Sequence, residues 1–174
     1  RFCVSDLELA EVLGRGEDAS SVCGSSCITI NWFGTSIDGK RKKGNEDCRS
    51  AFASDDGWAE ELELSGELDI SKRGAVFAVS DGMGGNAGGG YASWLAVKEL
   101  RQFLPATMGS FETNADPLRS LALAVVDLNN YVNRIGYAKP EVKDMGATLV
   151  CGLFNRKEMH FAHVGDSRIS RFFE

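Results

Sequence analysis

Three short segments of this sequence bring carboxylates together with glycine or small polar residues, each where a strand is expected to start or end. The first is Lys40-Arg41-Lys42-Lys43-Gly44-Asn45-Glu46-Asp47. Four consecutive cations beside two carboxylates would suit a phosphate-binding edge next to an acidic metal cradle, because guanidinium and ammonium groups hold phosphate oxygens while carboxylates hold a cation. A solvated basic loop is the plainer alternative. The second is Ser80-Asp81-Gly82-Met83-Gly84-Gly85-Asn86-Ala87, and six of the chain's 20 glycines lie between 82 and 90. An aspartate at a rigid strand end, followed by a turn whose carbonyls are unshielded by side chains, suits a hard cation such as Mg²⁺ or Mn²⁺. The third is His163-Val164-Gly165-Asp166-Ser167-Arg168, with Asp166 as a further cation ligand.

Competing chemistries fit less well. Gly82 to Ala87 matches the GxGxxA dinucleotide fingerprint. However, Asp81 would put a negative charge beside the pyrophosphate, and no second parallel strand carrying a ribose-binding acid follows. Ser167 lacks the Gly-x-Ser-x-Gly elbow of an activated serine. His160 and His163, the two histidines, stand three apart on an expected strand, so they point to opposite faces and cannot chelate together. A metal here must be held by oxygen.

The elements that would position these residues follow from periodicity. Apolar, β-branched Ile28–Phe33 and the buried run Ala75–Ser80 are expected strands. Ala92, Leu95, Ala96, Leu100, Phe103 and Leu104 recur at helical spacing, and Pro105 ends that helix. A second helix starts at Asp116 (N-cap) and Pro117, buries Leu118, Leu121, Val125, Leu128 and Val132, and is expected to stop at Gly136. The period then changes to two, predicting a hairpin of Thr148–Phe154 and Met159–Val164 and a third strand over Ile169–Phe173. Residues 1–27 carry a short helical pattern (Leu7, Leu9, Val12, Leu13) and a Gly/Ser/Cys-rich stretch, expected as a linker or the end of a preceding segment, with the domain proper at 28–174. Strands, two long helices and then a meander describe an α+β fold with an antiparallel sheet.

Composition narrows the function classes. The chain has 174 residues and a net charge of −6, and the acidic excess lies in residues 54–69, which hold seven acids and no base. That stretch is expected as a solvated insertion or hairpin tip. Overall acidity excludes a general nucleic-acid binder, since phosphate-backbone binding needs a positive face. The longest clean apolar run, Leu121–Val126, is far short of the ~20 residues that span a bilayer, so no membrane role is expected. Five cysteines in spacings that fit neither a zinc pair nor a secreted framework predict reduced thiols in a cytoplasmic setting.

Taken in order, Asn45-Glu46-Asp47, Asp81-Gly82-Met83-Gly84-Gly85, Gly146-Ala147-Thr148 and Gly165-Asp166-Ser167-Arg168 resemble the successive motifs of the metal-dependent PPM/PP2C family of protein serine/threonine phosphatases, with Met83 as in the bacterial-type branch. The resemblance runs over residues 34–171. It implies a β-sandwich flanked by helices, an α-β-β-α arrangement, and hydrolysis of phosphoserine and phosphothreonine by water activated between two Mn²⁺ or Mg²⁺ ions, with a third ion in some complete domains. By that resemblance Asp81 bridges the two ions, the Gly82 carbonyl binds one, Glu46 and Asp47 hold metal-bound water, and Asp166 helps bind an additional ion. The implied partners are phosphoprotein substrates, with a regulatory protein or cognate serine/threonine kinase as a further class.

The departures are informative. Where the family places a phosphate-clamping arginine, five residues before Asp47, this chain has Lys42 with Arg41 beside it, and lysine supplies charge without the planar fork. Met83 stands where some members carry a proton-donating histidine. After Asp81-Gly82 the chain has no further Asp-Gly and it has no Asp-Asn at all, so the family's two later metal aspartates are not matched. The expectation is an active phosphatase of which this chain is a fragment, inactive by itself. The alternative is a non-catalytic phosphatase-like module that binds protein partners.

Overall fold

The computed structural model describes residues 8–13, 28–38, 44–54, 57–58, 60–71, 73–83, 87–105, 116–155 and 158–172. Its centre is a sheet of β1 (Glu8–Leu13), β3 (Cys48–Ser54), β4 (Glu60–Glu61), β6 (Gly74–Ser80), β9 (Leu149–Phe154) and β10 (Glu158–Val164), in the order β1-β10-β9-β6-β3-β4. Every neighbouring pair is antiparallel. A two-stranded sheet of β2 (Thr29–Phe33) and β5 (Ser65–Asp69) covers part of one face, and β7 (Gly82–Met83) with β8 (Gly146–Ala147) forms a short ribbon at one end. The helices α1 (Ala87–Phe103) and α2 (Pro117–Ala138) pack on the other face. The fold is α+β with antiparallel sheets, as expected, and the described residues comprise two sheet layers and one helical layer.

The alternation of strand side chains builds two cores. Phe52, Val76, Ala78, Leu149, Cys151, Leu153, Ala162 and Val164 face the helices and meet Leu95, Leu100, Leu121, Leu128 and Val132. On the opposite face Ala53 and Ala75 meet Leu68 and Ile70, and Phe77 packs between Trp32 and Phe154 with ring centroids 5.6 Å from each. Gly152, opposite Phe77 in the register, leaves room for the Phe154 ring and Met159: a Cβ there would stand 3.2 Å from Phe154 Cε2 and 3.4 Å from Met159 Cε. Burying each large aliphatic side chain contributes about 1.5–3 kcal/mol, so the helix-side core, with Phe52, Leu100, Leu121, Leu128, Leu149 and Leu153 all inaccessible, dominates stability.

Local signals account for the helix ends. Asp116 caps α2, its carboxylate accepting from the Leu118 and Arg119 amides at 3.1 Å, with Pro117 at the first helical position. The expected stop at Gly136 is corrected: α2 runs on to Ala138. Gly136 is buried against the Val142 and Lys143 carbonyls and Met145, so it serves close packing, and the helix ends because Lys139 precedes Pro140 and turns extended.

Three further expectations are corrected. Residues 8–13, with helical spacing, form strand β1, because β10 offers an edge of unpaired amides and carbonyls and pairing along six residues overrides a weak local preference. The expected third strand over Ile169–Phe173 does not form across the described 169–172: β-propensity needs a partner edge, and β10 is already paired with β9 and β1. β6 is not buried on both faces along its whole length, since Val79 is half exposed where the β2–β5 sheet stops short of it. Within the acidic stretch the described carboxylates stay exposed, yet the segment also builds β4 and β5, with Glu60 on Arg73 and Glu61 on Lys98 tying it down. Asp55 and Asp56 lie outside the described residues.

Cys48 and Cys151 are free thiols, and burial pushes Cys151 up to about 12, an unreactive packing residue. No described helix is long and apolar enough to cross a membrane. The two-core arrangement makes a direct prediction: Leu100→Ala lowers unfolding free energy by roughly 2–5 kcal/mol, whereas Leu123→Ala, on the exposed face of α2, stays within about 0.5 kcal/mol. Urea denaturation of both variants checks this.

Candidate metal centre

β3 and β6 pair with Cys48 opposite Ser80 and Arg49 opposite Val79. One step further along that register, Asp47 meets Asp81, and the two carboxyl groups share a hydrogen bond. Asp47 precedes β3, Asp81 follows β6 and Asp166 follows β10, so three strand ends converge on one end of the central sheet. The charges of Asp47, Asp166 and Glu46 all act on Asp81.

Backbone contacts hold this cluster rigid. The Asp81 amide donates to Thr148 Oγ1 at 3.0 Å, and the Thr148 amide donates back to the Asp81 carbonyl at 2.9 Å. Ser80 Oγ donates to the Thr148 carbonyl, while Thr148 Oγ1 also bonds Ser167 Oγ at 2.5 Å. Thr148 is therefore a buried clasp joining the ends of β6 and β10. Gly165 allows it: its φ of +97° reverses the chain after β10, and a Cβ there would stand 2.7 Å from Thr148 Cγ2.

A second clasp fixes Glu46. Its carbonyl accepts from the Gly82 amide at 3.2 Å and from Ser93 Oγ on α1. A Cβ on Gly82 would fall 2.2 Å from the Gly89 carbonyl oxygen, so only glycine lets β7, the Glu46 backbone and the start of α1 meet. The Glu46 carboxylate lies against Gly89 in the first turn of α1, where the helix N-terminus favours negative charge. Asn45 anchors the approach to β3, donating to Ser36 Oγ at 2.6 Å and the Ile37 carbonyl at 3.1 Å while accepting from the Asp47 amide at 2.9 Å.

The electrostatics follow. Partial burial holds the Asp81 carboxyl above its ordinary titration range, and the hydrogen bond to Asp47 and the charges of Asp47, Asp166 and Glu46 push it the same way. All the donors are oxygens and all are acids, a set that fits a hard divalent cation, which would relieve the repulsion that raises Asp81. Among the described residues no three histidine, cysteine, aspartate or glutamate side chains come close enough to form a metal shell by themselves. His160 is buried on the helix-facing side of β10 with its Nε2 3.2 Å from Glu158 Oε2, away from this cluster.

Of the residues singled out from sequence, Glu46, Asp47, Asp81 and Asp166 are thus brought together, with Gly82 directly beside them. Lys42 and Arg41, the expected phosphate ligands, lie outside the described residues, as do Lys40, Lys43, Gly84 and Gly85. Sequence reasoning did not identify Thr148, Ser167 and Ser93 as positioning residues. Thr148 and Ser167 stood inside recognised motifs without a role, and Ser93 carries no local signal, being one small residue in a helix.

Comparison with known proteins gives the chain its family and fold. The family profile described as Protein phosphatase 2C matches residues 50–172. Serine/threonine protein phosphatase PstP of Mycobacterium tuberculosis is 32% identical over 107 residues, 62% of this chain and 20% of PstP. The crystal structure of Mycobacterium tuberculosis serine/threonine phosphatase PstP/Ppp aligns with a TM-score of 0.50 and 26% identity over 82% of this chain and 48% of that one. Stp1 from Staphylococcus aureus aligns with a TM-score of 0.55 and 24% identity over 87% of this chain and 52% of its own, a likeness of fold. The chain therefore spans 20% of the curated relative and about half of the solved ones.

Asp81 also sets a pH dependence. A carboxyl whose folded-state titration lies above its unfolded one destabilises the fold once it ionises, so stability falls as pH rises from the ordinary aspartate range through the raised value. In metal-free buffer, Asp81→Asn is expected to melt at a higher temperature than the unaltered chain at pH 7. The gap should close as pH is lowered toward 4. Thermal melts of the two proteins across that range, with chelator present, test this.

Proposed function

The chain belongs to the protein phosphatase 2C family, and from that premise we propose that it contributes the core of a metal-dependent protein phosphatase site acting on phosphoserine and phosphothreonine. One observation carries the reading: besides its partial burial, the three carboxyl groups of Asp47, Asp166 and Glu46, from the ends of β3 and β10, act on Asp81 at the end of β6 and raise its titration. Structural carboxylates are seldom gathered at the cost of mutual repulsion unless a cation joins them. The relatives named as serine/threonine phosphatases supply the substrate class.

In this proposal Asp81, Asp47, Asp166 and the Gly82 carbonyl hold Mn²⁺ or Mg²⁺. When bound, such a pair of ions acidifies water for attack on phosphorus and neutralises charge on the phosphoryl oxygens. The protein's own contribution is positioning. Thr148 and Ser167 keep the Asp81 main chain still, so that the carboxylate loses little freedom on ligation. Glu46, anchored through its carbonyl to Gly82 and Ser93, orients a water toward the phosphorus and accepts its hydrogen bond. Lys42 or Arg41 holds the substrate phosphate. Met83 is about half exposed beside the site and has no proton to give, so the leaving serine or threonine oxygen is protonated from solvent.

Two measurements test the proposal. In the longest natural polypeptide that contains this chain, Mn²⁺-dependent release of phosphate from a phosphoserine peptide is expected, and Asp81→Asn abolishes it while circular dichroism stays unchanged; near-normal turnover by that variant at saturating Mn²⁺ overturns the assignment. The 174-residue chain by itself is expected to bind Mn²⁺ weakly and to hydrolyse p-nitrophenyl phosphate negligibly, because no complete ligand shell converges among the described residues. For the phosphate contact, Lys42→Ala or Arg41→Ala should raise KM with little change in kcat, and Lys42→Arg should be tolerated.

A further inference from the structure

Asp47 is one half of the carboxyl pair at the centre of the site, yet it is exposed and lies just outside β3. The β3–β6 ladder ends at Cys48 and Ser80, so strand pairing does not itself fix the Asp47 main chain. Three consecutive residues divide that task. Asp47 turns its carboxyl to Asp81. Glu46 gives its carbonyl to the Gly82 amide and to Ser93 Oγ, on the α1 side. Asn45 gives its side chain to the segment that leaves β2, donating to Ser36 Oγ at 2.6 Å and to the Ile37 carbonyl at 3.1 Å. Its Oδ1 accepts from the Asp47 amide at 2.9 Å.

The orientation of that side chain follows from its partners. Ile37 offers a carbonyl and Asp47 an amide N–H, so the NH₂ group must face residues 36–37 and Oδ1 must face Asp47. Asparagine meets both demands in a short span. Aspartate lacks the donors, and glutamine adds a methylene that breaks the two-residue Asx turn. Serine accepts from the amide two residues on but has no second arm. The segment Asn45 reaches is itself tied down, since the Gly34 amide donates to the Leu64 carbonyl at 2.7 Å and continues the β2–β5 pairing. Asp47 is therefore gripped from the helix layer through Glu46 and from the second sheet through Asn45. The two central aspartates are also held alike: a neutral side-chain oxygen takes the Asp81 amide (Thr148 Oγ1, 3.0 Å) and the Asp47 amide (Asn45 Oδ1, 2.9 Å). The Asn45 bonds lie at an exposed position where water competes for the same groups, so their main consequence is local order.

We propose that Asn45 is a positioning residue for the cation: by tying the Asp47 main chain to the β2 side, it keeps the Asp47 carboxyl opposite Asp81 and so sets the affinity of the pair for Mn²⁺ or Mg²⁺. Asn45 supplies no ligand and acts through Asp47. This rests on the metal-centre reading for where the cation sits.

The test uses the isotope-labelled 174-residue chain and Mn²⁺ alone, with binding read from paramagnetic broadening of the Asp81, Gly82 and Asp166 amide signals, which reports millimolar affinities without turnover. Asn45→Ala should raise the Mn²⁺ dissociation constant about tenfold. Asn45→Ser, whose hydroxyl can still accept from the Asp47 amide, should recover part of that loss, and Ser36→Ala, which removes one outer acceptor, should cost about twofold. Amide exchange in metal-free buffer gives a second readout: in Asn45→Ala the Asp47 amide should exchange faster while the Asp81 amide, held by Thr148, keeps its rate. Unchanged Mn²⁺ affinity in Asn45→Ala overturns the proposal and leaves the metal centre standing. So does equal acceleration of the Asp47 and Asp81 amides, which would mean general loosening. Absence of broadening in the unaltered chain up to millimolar Mn²⁺ overturns the metal-centre reading and the proposal with it. If Asn45 governs Mn²⁺ affinity but the longest natural polypeptide releases no phosphate from a phosphoserine peptide, the phosphatase reading fails and the role of Asn45 stands.

Discussion

The partly buried Asp81 carboxyl, set among three other acids, is the constraint around which this protein is organised. Asp47, Asp166 and Glu46 all act on Asp81 at one end of a sheet, and left free these side chains would swing apart into solvent. The structure prevents this by gripping main chain rather than side chain. Asp81 is held by reciprocal hydrogen bonds with Thr148, and Glu46 by the Gly82 amide and Ser93 Oγ acting on its carbonyl. The carboxylates remain available because their backbones carry the positional information. A site fixed in this way is preorganised for a cation, since little side-chain order remains to be lost on binding.

The rest of the fold makes that grip possible. The β3–β6 register sets Asp47 across from Asp81, and a slip of one residue would send one of them to the helix face. That register is in turn enforced by the side chains further along the same strands: Phe52, Val76 and Ala78 must meet the helices while Ala53, Ala75 and Phe77 meet the second sheet. Core packing more than 10 Å away along the strand therefore decides which carboxylates face each other, three residues spanning ~10 Å. Two glycines complete the arrangement. Gly82 permits the contact with the start of α1, and Gly165, at φ +97°, brings Ser167 back onto Thr148. Each fills a position where a Cβ would collide with backbone or a β-branched neighbour.

The sheet sandwich is also incompletely compensated in one place. Arg49 Nε, toward the second sheet, and Ser50 Oγ, toward the helices, are buried without partners. Buried polar atoms without partners are uncommon in stable cores.

How much was legible beforehand depended on the range of the interaction responsible. The two helices, the Asp116 cap, the β9–β10 hairpin and the α+β class follow from periodicity and from contacts a few residues apart, which a linear sequence displays directly. The identities of Glu46, Asp47, Asp81 and Asp166 were also readable, because carboxylate beside glycine at a strand end is a local pattern. What the sequence could not contain was anything decided by a partner distant in the chain. Leu9, Val12 and Leu13 have helical spacing, but residues 8–13 became a strand when the edge of β10 captured them, and Ile169–Phe172 remained outside a ladder for want of such an edge. Gly136 resembled a helix stop until it met the 142–145 segment. Thr148 gained its role only by lying against Asp81, 67 residues earlier, and Arg49 Nε was left without an acceptor only when the second sheet closed over it. The sequence by itself determined which groups could do chemistry and where helices begin; the tertiary structure decided which of those groups meet, because hydrogen-bond partners and burial are properties of chain segments brought together, not of either segment alone.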